Sequence, residues 1–372
     1  MYDPAALYRA RKAEFDAAIH RVLDSGRIDW GPEVPGFEAE FAGWLGARHV
    51  VGVGSGSAAL RAALRALGIG PGDEVITVAN TDLGGSAAVS MVGAKVRWVE
   101  IDPVSRCIDP AAVEAAIGPA TRAILPVDMY GHPADMPALR RIAVAHGLAV
   151  IQDSCLSLGA VVAGQPIGTL ADVTCFSFSA GKHLGAFGSG GACATEDAAL
   201  AERIRRYSAD GQDRAHHYAS PRPLALRHET DGENARLHEI QAAILRVKLP
   251  HLSAAIELRR AQARRYADLL EGLPIALPQV KPGCLHAWRN YAVECGDRAG
   301  LNAHLARRGI GSNALYSPPM HLQPAYAHLG WKAGDLAVTE RSCSRVLNLP
   351  IGPHLDQGAV EEVADAVRAY FG

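Results

Sequence analysis

The sequence predicts an α/β protein with a large, mostly parallel sheet and a smaller C-terminal α+β domain. Within residues 1–250, short runs rich in Val and Ile alternate with longer runs rich in Ala, Leu, Arg and Glu. This alternation is typical of parallel strands covered by helices on both faces. The chain has 372 residues and is 49% hydrophobic, which suffices to build one large core and one smaller core.

The predicted strands follow one another with helical sequence between them. They are residues 49–53, 74–78, 96–100, 123–127, 148–152 and 173–178, and a helix is predicted over residues 58–67. Apolar residues recur at helical spacing from Leu237 to Leu270, with a break at Pro250. We place the domain boundary there, so that the large domain is 1–250 and the small domain is 251–372. The small domain is expected to end in a helix over residues 359–370.

Charge and composition exclude several classes of protein. The net charge is −2 and no basic tract occurs, so we expect no nucleic-acid partner. No apolar run is long enough for a membrane span, and the first residues lack a signal-peptide pattern, so a cytoplasmic location is expected. The seven cysteines show no CxxC spacing and the histidines no ligand spacing, which predicts buried thiols and no metal site.

Lys182 is the most informative candidate for chemistry. It follows the apolar strand 173–178 and lies among Gly181, Gly185 and Gly188. Burial lowers the pKa of a lysine, and a neutral amine can form a Schiff base with an aldehyde, which is how pyridoxal phosphate is held. From this residue alone, an ordinary loop lysine remains an open alternative.

Other residues are suited to the remaining parts of the same cofactor. Asp153 closes the predicted strand 148–152, at the sheet edge where ligands of open α/β sheets bind, and could keep a pyridine nitrogen protonated. Gly54-Ser55-Gly56-Ser57 follows the first strand and opens a helix, which is a typical phosphate cradle, and Ser177 could add a hydroxyl. Taken singly, Asp153 could instead be a helix cap and Ser177 a strand serine bonded to the backbone.

The glycine-rich loop also allows a nicotinamide hypothesis, because residues 54–59 match G-x-G-x-x-A. That fingerprint requires an acid at the end of the next strand to hold the ribose. Here Asp73 and Glu74 come before the strand 75–78, and Asn80 follows it. The dinucleotide hypothesis therefore lacks its second element and gives Lys182 no role.

Several motifs in a fixed order resemble the DegT/DnrJ/StrS sugar aminotransferases, which are fold-type I pyridoxal phosphate enzymes. The segments that carry the resemblance are 28–38, 70–76, 126–136, 176–192, 234–243, 316–321 and 347–350. The resemblance implies that Lys182 forms the Schiff base and that Asp153 contacts the pyridine nitrogen.

The resemblance also assigns the phosphate, the partner chain and the substrate. Gly56, Ser57 and Ser177 fall on phosphate-binding positions. Asn234 falls where family members reach across a dimer interface to the neighbouring cofactor, which implies a homodimer with shared active sites. Tyr316 and His321 fall on a C-terminal loop near the substrate.

The chain departs from the family pattern at a few positions. Asp82 replaces an aromatic residue that usually stacks on the cofactor ring, Leu156 replaces a glutamine, and Ser189 replaces an acid. The segment 208–231 is longer than usual and suggests a modified substrate entrance. We expect Asp82 to serve the substrate or the Schiff base, and Leu83 or Leu156 to cover the ring.

The expected function is therefore transfer of an amino group from glutamate or glutamine to a ketosugar, with pyridoxamine phosphate as the intermediate. The substrate implied is a nucleotide-linked 3-keto or 4-keto deoxysugar in secondary-metabolite or surface-glycan biosynthesis, and the Gly181-Lys182 pair resembles members that act on 3-ketosugars. One alternative is a sugar dehydratase, but such members carry histidine in place of the lysine, and this chain keeps Lys182 beside His183. An aminotransferase for an aminocyclitol or another ketone, and a non-catalytic regulator that binds the cofactor, also remain open.

Overall fold

A seven-stranded sheet lies at the centre of the computed structural model, which describes residues 4–212, 228–355 and 357–372. The strands in these ranges are β1 (His49–Val53), β2 (Glu74–Val78), β3 (Lys95–Val99), β4 (Thr121–Ile124), β5 (Ala149–Asp153), β6 (Val161–Val162), β7 (Gln165–Pro166), β8 (Val173–Ser177), β9 (Gly191–Thr195), β10 (Ile275–Ala276), β11 (Cys284–Leu285), β12 (Tyr291–Cys295) and β13 (Val346–Leu349). The central sheet has the order β1-β9-β8-β5-β4-β2-β3.

The central sheet is mostly parallel, as the alternating sequence pattern predicts. Strands β8, β5, β4, β2 and β3 pair in parallel, whereas β9 is antiparallel to both of its neighbours, β1 and β8. All six predicted strands are confirmed, and each begins within two residues of its predicted start. Because parallel strands need crossover connections, the helices between them cover the sheet and leave its carboxyl edge open for a ligand.

Strand β9 is the element of the central sheet that the sequence pattern does not predict. Its first residues are Gly191 and Ala192, which lack the β-branched and aromatic side chains that indicate a strand. A Cβ on Gly191 would lie 2.5 Å from the backbone carbonyl carbon of Ser55. The glycine is therefore required by a close approach of two backbones. Because of this requirement, the segment lacks the residues that indicate a strand in the sequence.

The helices lie on both faces of the central sheet and around a second, smaller sheet. Their bounds are Pro4–Ala10, Lys12–Asp24, Glu33–Leu45, Gly56–Ala66, Leu83–Met91, Pro110–Ala116, Met136–His146, Ala198–Tyr207, Glu239–Lys248, Leu252–Leu270, Arg298–Arg307, Ala337–Arg345 and Gln357–Phe371. The predicted helices 58–67 and 359–370 are confirmed, with ends that differ by at most two residues, and the helical spacing after the break at Pro250 corresponds to the helix Leu252–Leu270.

The C-terminal part forms its own antiparallel sheet in the order β10-β12-β13. A separate core on this sheet includes Tyr291, Val293, Leu347 and Val367. The helix Leu252–Leu270 contributes to two cores. Its first turns place Leu252 and Ile256 in a core of the large sheet, and its later turns place Ala263, Tyr266 and Leu270 in the C-terminal core.

No helix within the described ranges is both long enough and apolar enough to cross a membrane.

Candidate active site

Lys182 lies in a closed turn that follows strand β8. Its backbone N–H donates to the carbonyl oxygen of Ser179 at 2.8 Å, and Ala186 N–H donates to the carbonyl oxygen of Phe178 at 2.8 Å. Phe178 is fully buried, so it fixes the start of the turn in the core. The turn therefore holds the lysine at the carboxyl edge of the central sheet.

The Lys182 amine is half-buried and surrounded by ionisable groups from other segments. Burial lowers its pKa below the ordinary value, and the positive charge of Arg289 lowers it further. Cys155, Asp153 and Asp82 act in the opposite direction. The structure thus brings together five side chains from four separate segments. The lowered pKa increases the fraction of the amine in its neutral, nucleophilic form.

Asp153 ends strand β5 and its side chain is 6% exposed. The backbone on both sides is fixed, because Asp153 N–H donates to Pro126 O at 2.9 Å and Asp128 N–H donates to Asp153 O at 3.0 Å. Its Oδ1 accepts a hydrogen bond from the N–H of Cys155 at 3.1 Å. Burial raises the pKa of this carboxyl, and Lys182 partly offsets the rise. A buried carboxylate of this kind is stabilised by a cation placed beside it.

The loop between strand β1 and the helix Gly56–Ala66 forms a cradle. Ser55 caps the helix, since its side chain accepts a hydrogen bond from Ala58 N–H at 3.1 Å. A Cβ on Gly56 would lie 2.8 Å from Ser177 Cβ and 2.9 Å from Cys155 Sγ, so only glycine fits there. The helix N-terminus and the Ser177 hydroxyl therefore lie side by side at the carboxyl edge of the sheet, which suits a phosphate.

Together these groups fit pyridoxal phosphate. A lysine amine suits the aldehyde, a buried carboxyl suits a protonated ring nitrogen, and a helix N-terminus flanked by Ser57 and Ser177 suits the phosphate. Ser57 is exposed, and a Cβ on Gly84 would lie 3.1 Å from its Oγ, so its hydroxyl is directed toward the start of the helix Leu83–Met91.

Asp82 and Tyr316 lie near Lys182 on separate segments. Asp82 is exposed and caps the helix Leu83–Met91, with its Oδ1 2.7 Å from Leu83 N. Tyr316 is half-buried; burial raises its pKa, and the charges of Asp82 and Asp153 raise it further. Hence Asp82, the residue that replaces the expected aromatic ring, presents a carboxylate to the cleft and also starts a helix.

The two apolar residues expected to cover a cofactor ring have different surroundings. Leu156 is 6% exposed and packs in the main core, whereas Leu83 is 46% exposed. Leu83 directly follows Asp82 in the chain, and Leu156 lies three residues after Asp153. Both therefore belong to the segments that carry the acids of the site.

His321 does not join this group of side chains. It is 1% exposed, and its Nε2 lies 3.0 Å from Glu340 Oε1. The backbone beside it is fixed by a hydrogen bond from Met320 N–H to Ala79 O at 2.7 Å. The burial of His321 favours a supporting position, in which it holds the loop of Tyr316 against the end of strand β2.

Asn234 is exposed and lies one residue away from a contact with the phosphate cradle. Gly54 N–H donates to the carbonyl oxygen of Ala235 at 2.7 Å, and Val53 pairs with Arg236 as an isolated bridge. Of the segment 208–231, residues 213–227 lie outside the described part of the chain. Ser189 is exposed.

Two buried or half-buried residues of the site were not identified from sequence. Arg289 lies more than a hundred positions after Lys182, and no local pattern marks it. Asp128 is fully buried and accepts hydrogen bonds from Ser154 Oγ at 2.6 Å and Ser157 Oγ at 2.7 Å. It thereby fixes the turn that follows Asp153, and Ser154 and Ser157, one and four residues after Asp153, gave no separate sequence signal.

Within the described residues, no group of three or more His, Cys, Asp or Glu side chains is placed to hold a metal ion. All seven cysteines are free thiols, and Cys175 and Cys193 are buried opposite each other on β8 and β9.

Comparison with known proteins gives concordant matches over nearly the whole chain. The model of the DegT/DnrJ/EryC1/StrS aminotransferase family matches residues 9–368. A dTDP-3-amino-3,4,6-trideoxy-alpha-D-glucose transaminase from Streptomyces venezuelae is 47% identical over 99% of this chain and 95% of its own length. The erythromycin biosynthesis sensory transduction protein EryC1 from Saccharopolyspora erythraea is 45% identical over 99% of this chain and 98% of its own length.

The fold agrees with the sequence matches. The crystal structure of Streptomyces venezuelae DesV in complex with a ketimine intermediate has a TM-score of 0.93 and 46% identity, and the match covers 99% of this chain and 97% of that one.

Proposed function

Since the chain belongs to the DegT/DnrJ/EryC1/StrS aminotransferase family, we propose that it transfers an amino group from glutamate or glutamine to the ketone carbon of a nucleotide-linked deoxysugar. The family is that of pyridoxal phosphate-dependent aminotransferases. The observation that carries the proposal is the half-buried Lys182 with its lowered pKa, close to the buried carboxyl of Asp153.

In this proposal different residues of the cleft bind different parts of the cofactor. Lys182 supplies the amine for covalent attachment, Asp153 pairs with the ring nitrogen, and Gly56, Ser57 and Ser177 hold the phosphate. When bound, pyridoxal phosphate supplies an electron sink for the carbon that loses its proton.

Lys182 also carries the proton of the reaction. Its Nζ accepts the proton from the α-carbon of the amino donor and later returns a proton, as a general base and then a general acid. A lowered pKa suits this task, because the amine must be neutral before it can accept a proton near neutral pH. Burial and Arg289 provide that lowering.

The ketone is proposed to be at carbon 3 of the sugar. The relative from Streptomyces venezuelae is named for a 3-amino sugar and is 47% identical to this chain. The Gly181-Lys182 pair of the lysine turn also resembles family members that act on 3-ketosugars. Asp82 and Tyr316 are the proposed contacts to the sugar, because both lie near Lys182 and present polar groups to the cleft.

The test is a coupled assay with purified protein. We expect release of 2-oxoglutarate from glutamate, or its 2-oxo analogue from glutamine, that depends on a dTDP-linked 3-ketosugar, and faster turnover with the 3-keto than with the 4-keto isomer. Borohydride reduction should attach the cofactor to the peptide that contains Lys182, and Lys182→Ala should remove both the attachment and the turnover. Recovery of the cofactor on Lys248 or Lys95 would refute the assignment.

A cofactor-binding regulator is the second candidate, and one observation favours it: a relative that is 45% identical is named a sensory transduction protein. The same assay distinguishes the two functions. A protein that binds the cofactor at Lys182 but never releases a 2-oxo acid with any ketosugar would fit a regulator. A dehydratase is disfavoured, because Lys182 is present and the ring of the adjacent His183 is held by Ala287 O at 2.9 Å.

A further inference from the structure

Arg289 places a guanidinium beside the lysine turn. It precedes strand β12, and its Nη2 lies 3.4 Å from the position that a Cβ on Gly181 would occupy. Gly181 is bonded directly to Lys182. The permanent charge of Arg289 is therefore packed against the backbone that carries the reactive amine.

The backbone of Arg289 is held on both sides. Asn290 N–H donates to Tyr130 O at 3.1 Å, and Arg259 Nη1 donates to Trp288 O at 3.2 Å. A Cβ on Gly131 would lie 2.8 Å from the backbone nitrogen of Arg289, so the two segments are in close contact. A guanidinium on such a fixed backbone is pre-organised for a ligand.

The charge of Arg289 acts on the groups of the cleft. It contributes to the lowered pKa of Lys182, after burial, and it opposes the rise that burial causes in the pKa of Tyr316. Arg289 thus faces the same space as the amine and the Tyr316 hydroxyl.

We propose that Arg289 binds the α-carboxylate of the amino donor, and this inference rests on the proposed aminotransferase function. In glutamate and glutamine the α-carboxylate is bonded to the very carbon whose proton Lys182 Nζ must accept. A cation that binds this carboxylate must therefore lie beside the lysine, where Arg289 lies. A guanidinium also matches a carboxylate with two parallel hydrogen bonds, which fixes the orientation of the donor.

The phosphates of a sugar nucleotide are less suited to this position. They are separated from a carbon 3 ketone by the bonds through carbons 2 and 1 and the glycosidic oxygen. A guanidinium packed against the lysine turn therefore faces the reacting carbon and not the diphosphate. Arg289 is therefore assigned to the amino donor, where it distinguishes α-amino acids from amines that lack an α-carboxylate.

The experiment compares Arg289→Gln, Arg289→Lys and Arg264→Gln, the last being an exposed arginine on the helix Leu252–Leu270. For Arg289→Gln we expect the KM for the amino donor to rise at least ~10-fold, the scale of a lost charged hydrogen bond, while the KM for the ketosugar changes less than ~2-fold. Arg289→Lys should restore part of the donor affinity, and Arg264→Gln should behave as the wild type.

A binding measurement supplies a readout that does not require turnover. Glutarate, which carries the carboxylates but no amine, should bind the cofactor-loaded wild type in a calorimetric titration and bind Arg289→Gln at least ~10-fold more weakly. Equal binding of glutarate to both proteins, or a raised ketosugar KM with an unchanged donor KM, would overturn the inference. A wild type that binds glutarate through Arg289 but aminates no ketosugar would refute the proposed function and support this inference.

Discussion

At the scale of single residues, Asp82 shows how one side chain can serve two purposes. Its carboxylate caps the helix Leu83–Met91 and its charge raises the pKa of Lys182. An aromatic side chain at this position could stack on a ring, but it could not cap the helix and would place no negative charge beside the amine. The exchange of ring for carboxylate therefore changes both the local backbone and the electrostatics of the cleft.

Replacing Asp82 by asparagine should separate these two purposes. Asparagine keeps an oxygen for the cap but removes the charge, so the pKa of Lys182 should fall and the acid limb of the kcat/KM profile should move to lower pH. Asp82→Ala should produce the same movement and also lower the free energy of unfolding by ~1 kcal/mol through loss of the cap. An acid limb of Asp82→Asn that coincides with that of the wild type would show that this charge does not act on Lys182.

In the cofactor-free protein, the buried carboxyl of Asp153 should lower the free energy of unfolding in a pH-dependent way. Burial raises its pKa, so the carboxyl ionises at lower pH in the unfolded chain than in the folded chain. Stability is therefore lost as the pH rises through this interval, and it is unaffected by Asp153 below the ordinary pKa of about 4.

We accordingly expect the Asp153→Asn apoprotein to be more stable than the wild type near neutral pH and equally stable below about pH 3.5. Its affinity for pyridoxal phosphate should nevertheless fall at least ~10-fold, because a neutral amide cannot pair with a protonated ring nitrogen. Urea unfolding across pH and a fluorescence titration of the cofactor measure the two effects. Lower stability of the variant at neutral pH would contradict the assigned cause.

At the scale of elements, the sequence pattern was informative where strands are apolar and uninformative where backbones touch. Apolar runs predicted β1, β2, β5 and β8 because strands of a sheet covered on both faces are buried and need apolar side chains. Strand β9 was missed because its first residue must be glycine. Arg289 was missed for another reason: only the packing of the segment before β12 against the lysine turn brings it there, and such tertiary contacts leave no local signal.

The contact between β9 and the loop at Ser55 can be tested by adding one methyl group. Gly191→Ala would place a Cβ 2.5 Å from the Ser55 backbone, so we expect the free energy of unfolding to fall by ~1–3 kcal/mol. The control is Gly43→Ala, because Gly43 lies in the helix Glu33–Leu45 with nothing within 4 Å of an added Cβ. That change should raise stability by up to ~1 kcal/mol. Similar urea midpoints for the two variants would argue against a close approach at Gly191.

At the scale of the whole molecule, the homodimer that the family resemblance implies would give the exposed Asn234 a function. Its neighbour Ala235 contacts Gly54 of the same chain, yet Asn234 itself is directed to the surface. The family resemblance implies that this amide reaches the phosphate cradle of a second copy. This arrangement would make every active site a product of two chains.

A mixing experiment tests the shared site. Lys182→Ala and Asn234→Ala proteins should each be inactive or severely impaired, and exchange of their subunits should restore activity, since one site of each heterodimer has both residues intact. Up to about a quarter of the wild-type activity is expected for statistical mixing, because half of the dimers are mixed and each has one intact site. Dimers that exchange subunits, as shown by differential tags, yet remain inactive would place Asn234 in its own chain's site.

The helix Leu252–Leu270 has a consequence for how the molecule melts. Its first turns are packed in a core of the large sheet and its last turns in the C-terminal core, so neither core can open without stripping part of the helix from the other. Met320, Tyr326 and Leu336 add to this coupling, because they belong to the C-terminal part yet pack in the main core. Heat should therefore disrupt both regions in one cooperative transition. A destabilising substitution in the C-terminal core should also destabilise the region that carries the cofactor site.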